Sequence, residues 1–83
     1  MKLRYFAWVR VKIGCSEEEI VAGPSTRTVA DLLGWLAARG AGYAEALAKP
    51  EVIRVAVNFN YVDRNYVLSD RDEVALFPPV TGG

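Results

Sequence analysis

With 83 residues, 52% of them apolar and 24% charged, the chain has the composition of one small globular domain, and neither disorder nor a membrane span fits it. Ten basic residues balance ten acidic ones, which removes the positive footprint of a nucleic-acid binder and leaves a protein or a small molecule as the expected partner. A single cysteine makes no internal disulfide, and without any histidine the chain lacks the commonest metal ligand and the commonest general base, so metal sites and histidine-dependent catalysis are poor readings.

The opening "MKLRYFAWVRVKI" carries Lys2, Arg4, Arg10 and Lys12, which interrupt any signal-peptide core, and no apolar run approaches the roughly 20 residues of a bilayer span. A cytoplasmic protein is expected. Residues 2 to 9 alternate, with Leu3, Tyr5, Ala7 and Val9 on one side and Lys2, Arg4, Phe6 and Trp8 on the other, the period of a half-buried strand. Gly14 ends it, and "EEEIVAGPS" offers a second strand that closes a hairpin and stops at Gly23-Pro24, its glutamates reading as a solvated edge. Thr28 and Asp31 form a capping box, so a helix is predicted to start there. Val29, Leu32, Leu33 and Leu36 make its apolar stripe, and Arg39-Gly40 supplies a left-handed cap. "YAEALAK" allows a second short helix, halted by Pro50. From Arg54 the alternation returns with Val55, Val57, Phe59 and Tyr61, and "LSDRDEVALF" reads as a turn into a last strand, Glu73 to Phe77.

Strand, strand, helix and then strands can bury their apolar faces only if the helix crosses one side of a single mixed sheet. The expected fold is therefore α+β, a ubiquitin-like β-grasp domain over residues 1–77 with one main helix on one face, followed by an extended tail over 78–83.

If Leu3 and Tyr5 face the helix with Val74 and Leu76, the outer face holds Lys2, Arg4 and Glu73 beside Phe6, Ala75 and Phe77. Two readings of the phenylalanines stand: a docking surface, enlarged by Trp8 and Tyr61, or ordinary scattered exposure. The tail "FPPVTGG" has a physical use at each position. Pro78 and Pro79 end strand pairing and hold the chain extended, Val80 and Thr81 follow, and Gly82 and Gly83, lacking Cβ, can enter a channel too narrow for side chains. An ionised carboxylate is a poor electrophile, and the chain has no phosphate-cradling loop, so ATP-dependent activation falls to a partner enzyme that takes Gly83 as its substrate.

"FPPVTGG" after "LSDRDEVAL", the opening "YFAWVR" before Gly14, and "VAVNFNYV" together resemble the small-subunit family of molybdopterin synthase along essentially the whole chain. The resemblance implies a non-catalytic sulfur carrier with no bound cofactor. An E1-like enzyme uses ATP to adenylate Gly83, sulfur replaces AMP, and the resulting thiocarboxylate serves the large subunit in converting cyclic pyranopterin monophosphate to molybdopterin. It also implies a heterotetramer with two large subunits, partner contacts at Phe6, Arg10, Tyr61 and Phe77, and a helical turn at about Val9 to Ile13 where the alternation predicts strand. The chain departs from the family pattern at Val11-Lys12, where an acidic residue is common, and at Arg71, where glycine is common in a turn that would strain arginine at positive φ. A bare Gly-Gly end also suits carriers for thiamine synthesis or tRNA thiolation and ubiquitin-like modifiers, and a plain interaction module with an inert tail is a third class. Cys15, beside three glutamates, reads as an incidental thiol, and Arg10 with Lys12 reads as a solvated pair unless the family pattern applies.

Overall fold

The computed structural model describes residues 1–79. Its elements in chain order are β1 (Lys2–Tyr5), α1 (Ala7–Ile13), β2 (Glu17–Glu19), α2 (Val29–Ala37), α3 (Ala41–Ala46), a 3-10 turn (Pro50–Val52), β3 (Arg54–Val57), β4 (Asn60–Tyr61) and β5 (Glu73–Phe77). The strands form one sheet in the order β2-β1-β5-β3-β4, mixed because β1 and β5 run parallel while the other pairs are antiparallel. The last strand is thus central, hydrogen-bonded on both edges. Leu3, Tyr5, Val55, Val57, Val74 and Leu76 turn inward and join Val29, Leu32, Leu33 and Leu36 of α2 in one buried cluster.

The strong local signals hold. Thr28 Oγ1 accepts from the Asp31 amide at 3.2 Å and Asp31 Oδ2 accepts from the Thr28 amide at 3.1 Å, the reciprocal box that starts α2. Two further amides of that first turn, at Val29 and Ala30, donate to the carbonyls of Tyr66 and Arg64. β5 has the predicted bounds.

Three local expectations are overturned. The first strand stops at Tyr5, and residues 7–13 wind into α1 instead of continuing the alternation. Val9 satisfies either period, and burying it completely under a helix also turns Ile13 toward the core. Gly14, at φ 98°, ends α1 with its amide on the Arg10 carbonyl at 2.8 Å. A tight hairpin is therefore absent between β1 and β2; they pair across α1, and β2 covers only three residues. The second correction concerns Gly40, which lies at φ 166°, ordinary extended backbone, and precedes α3; α2 ends at Ala37 and is capped by Ala38. The third is the strand drawn through Phe59. Asn58 and Phe59 both have positive φ, 50° and 71°, and form a two-residue turn of the I′ kind that folds β4 back on β3. Tyr61 then pairs with Ala56 and so faces outward, opposite to Val55 and Val57.

Arg71 is not among the positive-φ residues, so the turn before β5 accommodates it. That turn is closed by buried Asp72, whose carboxylate accepts from the Ser69 amide at 2.7 Å and from Asn58 Nδ2 at 3.0 Å. Asn58 Oδ1 in turn accepts the Glu73 amide at 3.0 Å, tying the β3–β4 turn to the root of β5.

Nor are the glutamates of β2 all solvent-facing. Glu17 pairs with Lys2 at 3.2 Å and Glu19 with the N-terminal ammonium at 3.7 Å, but Glu18 points under the sheet edge. There it accepts hydrogen bonds from Tyr43 at 2.6 Å, Tyr5 at 2.7 Å and Arg39 at 2.9 Å, joining β1, β2 and the α2–α3 segment. Burial pushes the Glu18 carboxyl up, yet these three donors and the Arg39 charge outweigh it and hold the group below its ordinary value of 4.5. Burial, and then the bond to Glu18, pushes the Tyr43 hydroxyl up to about 12. Since the folded carboxyl lies below its unfolded value, its stabilisation is complete above that unfolded value and drains away as pH falls through the folded one. Urea titrations of Glu18→Gln are therefore expected to show a shallower loss of stability below about pH 4.5 than the parent chain. The loss is reduced and not abolished, because Asp31 and Glu45 are also held low, by the amides of Thr28 and Arg27 and by Lys12 respectively.

Helices α1 and α3 cross at Gly42, where a Cβ would run into the carbonyl oxygen of Lys12. The same crossing carries the 2.7 Å ion pair of Lys12 with Glu45, so Lys12 is engaged there and is not a free companion of Arg10. Gly42→Val is expected to lower stability by about 2 kcal/mol or more through overpacking against backbone, read as a drop in the urea midpoint at unchanged slope. An unaltered midpoint would show that the helices separate freely.

Candidate functional site

The outer face of the sheet has a small-residue floor and aromatic walls. Register aligns Arg4, Ala75, Ala56 and Tyr61 across β1, β5, β3 and β4, and two residues further along β5 it sets Phe77 opposite Arg54. The alanines leave a shallow depression, walled by Phe6, Phe59, Tyr61 and Phe77 and flanked by Arg4 and Glu73. Phe6, just past β1, stacks on Phe77 with centroids 4.5 Å apart and planes 11° from parallel. Tyr61 is tilted against Phe77 at 6.2 Å and carries the Arg54 guanidinium 5.0 Å above its ring.

Of the residues singled out in the sequence, Phe6, Tyr61 and Phe77 come together here. Arg10 is exposed on α1 and lines an adjoining depression with Arg4, Phe6 and Glu17. Trp8 does not enlarge the patch: the helical turn carries it to a groove beside Lys12, Glu45 and Val52, shared with none of the patch aromatics. Pro78 is half-buried and Pro79 exposed directly after Phe77, so the chain leaves the sheet at the aromatic stack. Val80, Thr81, Gly82 and Gly83 lie outside the described residues.

Phe59 and Ala56 were not expected on this face, whereas Arg4 was, as one of its charges. Phe59 was read with Val55, Val57 and Tyr61 as one unbroken alternation; the only signal against it was Asn58, a residue that tolerates left-handed backbone. Arg4 pairs with Glu73 at 3.5 Å across the face, while its Nε is buried and without a hydrogen bond among the described residues. Cys15 is half-buried, and burial, then the Glu18 charge, pushes its thiol up against a smaller opposing effect of Arg39, which disfavours the thiolate. Among the described residues no cluster of His, Cys, Asp and Glu is placed to hold a metal, and no helix is long and apolar enough to cross a membrane.

A five-stranded mixed sheet with helices over one face and a chain end leaving its central strand defines the β-grasp class of small domains. Residues 3–83 match the ThiS family, and the chain belongs to it. It is 40% identical over 83 residues to the molybdopterin synthase sulfur carrier subunit of Escherichia coli (strain K12), covering 100% of this chain and 99% of that one. Among solved structures it is similar to SAMP1 from Haloferax volcanii (27% identity, TM-score 0.75, 100% and 98% covered). It also resembles a protein–protein complex of subunits 1 and 2 of molybdopterin-converting factor from Helicobacter pylori 26695 (26% identity, TM-score 0.64, 99% and 96% covered).

Proposed function

We propose that this chain is the sulfur-carrier subunit of a molybdopterin synthase. The observation that carries the reading is the continuity of the stacked Phe6–Phe77 face with the Pro78-Pro79 exit: a protein that receives the tail meets an apolar, largely pre-formed surface at its root. The full-length likeness to the Escherichia coli carrier and the complex formed by the Helicobacter pylori relative support the same assignment.

In this reading the Gly83 carboxylate attacks the α-phosphorus of ATP on an E1-like enzyme, pyrophosphate leaves, and a mixed anhydride forms. The terminal sulfur of a persulfide attacks the acyl carbon and displaces AMP. A second thiol then takes the donor sulfur into a disulfide and frees the thiocarboxylate, a softer and stronger nucleophile than the carboxylate it replaces. Delivered into the large subunit, it attacks a side-chain carbon of cyclic pyranopterin monophosphate, the carbon–oxygen bond there breaks and that oxygen leaves as a protonated hydroxyl or a freed phosphate oxygen, and water finally cleaves the acyl–sulfur bond, returning Gly83 and leaving sulfur in place of the oxygen. Phe6, Tyr61, Phe77 and Arg10 bind the large subunit, while the tail from Pro78 through Val80 and Thr81 to Gly82 spans the channel. Two carriers flank two large subunits, catalytic side chains belong to the partners, and the ATP dependence of loading places the cycle in the cytoplasm.

The test is an intact mass after incubation with the activating enzyme, ATP and a sulfur donor, followed by mixing with the large subunit and the cyclic pterin. Replacement of one oxygen by sulfur and formation of molybdopterin are expected. Loading without molybdopterin, coupled with activity in a thiazole or tRNA-thiolation assay, would reassign the carrier to that pathway. The likeness to SAMP1 favours one second reading, a protein modifier, which predicts Gly83–lysine isopeptides in place of sulfur transfer. Full activity after deletion of Gly82 and Gly83 would leave only a passive interaction module.

A further inference from the structure

Phe59 combines two properties that oppose stability. It is 91% exposed, and it occupies the second position of the β3–β4 turn at φ 71°, a conformation that favours glycine or asparagine and strains a bulky side chain. Neither is explained by the fold, since the turn is already fixed by Asn58 through its contacts with Asp72 and Glu73. What the position does provide is placement. The Asn58 amide donates to the Glu73 carbonyl at 2.8 Å, so Phe59 stands at the start of β5 while the tail departs from its end. The two limits of the aromatic face are thus about four strand residues, or about 13 Å, apart.

We propose that Phe59 is a specificity-determining anchor for the large subunit, inserting its ring into an apolar recess of that partner at the end of the interface farthest from the tail. The inference rests on the function proposed above. A partner that only grips the tail would need the Phe6–Phe77 stack, whereas one that covers the depression continuously from Pro78 to Glu73 also meets Phe59. The depression favours the wide footprint: one lining runs from Phe6 and Phe77 at the tail to Glu73 and Phe59 at the far end, and Phe59 is the most exposed aromatic on its rim. An aromatic pre-placed by a rigid turn loses little side-chain freedom on binding, which is how a strained, solvent-facing ring can serve an interface.

The test replaces the ring with the residue the turn prefers. Phe59→Gly is expected to raise the melting temperature of the isolated chain while weakening binding to the purified large subunit by about tenfold or more in calorimetry. Phe59→Leu, which keeps apolar bulk, is expected to recover most of the affinity. Opposite signs on stability and affinity exclude a merely structural role. Binding by Phe59→Gly within twofold of the parent overturns the proposal while leaving the sulfur-carrier reading intact, and so does loss of a concentration-dependent homodimer at unchanged large-subunit affinity. Absence of any binding by the parent chain removes the sulfur-carrier reading, and this inference with it.

Discussion

Extending the chain by one alanine beyond Gly83 is expected to abolish sulfur loading. In the proposed cycle activation requires the terminal carboxylate at the α-phosphorus of ATP, and each added residue moves it by about 3.3 Å. A misplacement of only 1 Å at a reacting centre can slow a reaction about 100-fold, so a loss of at least that size is expected in the rate of thiocarboxylate formation, followed by intact mass. Substitution of Gly83 by tryptophan keeps the reach but adds a Cβ and a ring where passage through a narrow channel depends on having neither, and a comparable loss is expected. Neither change touches residues 1–77, so the melting temperature stays at the parent value. Normal loading of both variants would mean that the chain end is not the reacting group.

The second large effect concerns the stacked pair. Phe6→Ala and Phe77→Ala each remove one ring from a contact with centroids 4.5 Å apart, leaving the other ring without its partner and the root of the tail without a wall. Central aromatic anchors of this kind account for about 2–4 kcal/mol each, which corresponds to roughly 30-fold to 1,000-fold in affinity for the large subunit. Phe6 is 39% exposed and enters no core cluster, so its truncation should change affinity far more than stability. Because the pair acts as one unit, the double variant is expected to lose less than the sum of the two single losses. An affinity for Phe6→Ala within threefold of the parent would move the interface off this face.

How far the sequence disclosed these arrangements depends on the range of the interactions involved. Helix α2 was legible because its start and its stripe are written within nine residues: Thr28 and Asp31 reach one another across a single turn, and the leucines repeat at helical spacing. β5 was legible for the same reason, as a short alternation behind a tight turn. Phe6 and Phe77 were paired by parity alone, since two parallel strands of known facing bring their outward residues together. The alternation missed helix α1 because Val9 satisfies two periods and its first residue, Ala7, sits at a positive φ that alanine does not advertise; only the family resemblance implied a helical turn there, at about Val9 to Ile13. The turn at Asn58 was missed because phenylalanine stands where glycine normally marks the reversal. The inward role of Glu18 was invisible for another reason: its partners Tyr5, Arg39 and Tyr43 lie 13, 21 and 25 residues away, and only the tertiary fold collects them.

The position of β5 bears on how such a carrier withstands repeated use. The strand that holds the tail lies between β1 and β3 and is stitched to both, so a pull on the chain end is resisted by two ladders loaded along their length. A terminal strand at the margin of a sheet could peel away one bond at a time, whereas this one can be freed only by breaking the core through Val74 and Leu76. In the proposed cycle, successive partners can therefore draw the end into their own clefts and release it without fraying the body to which it is fastened.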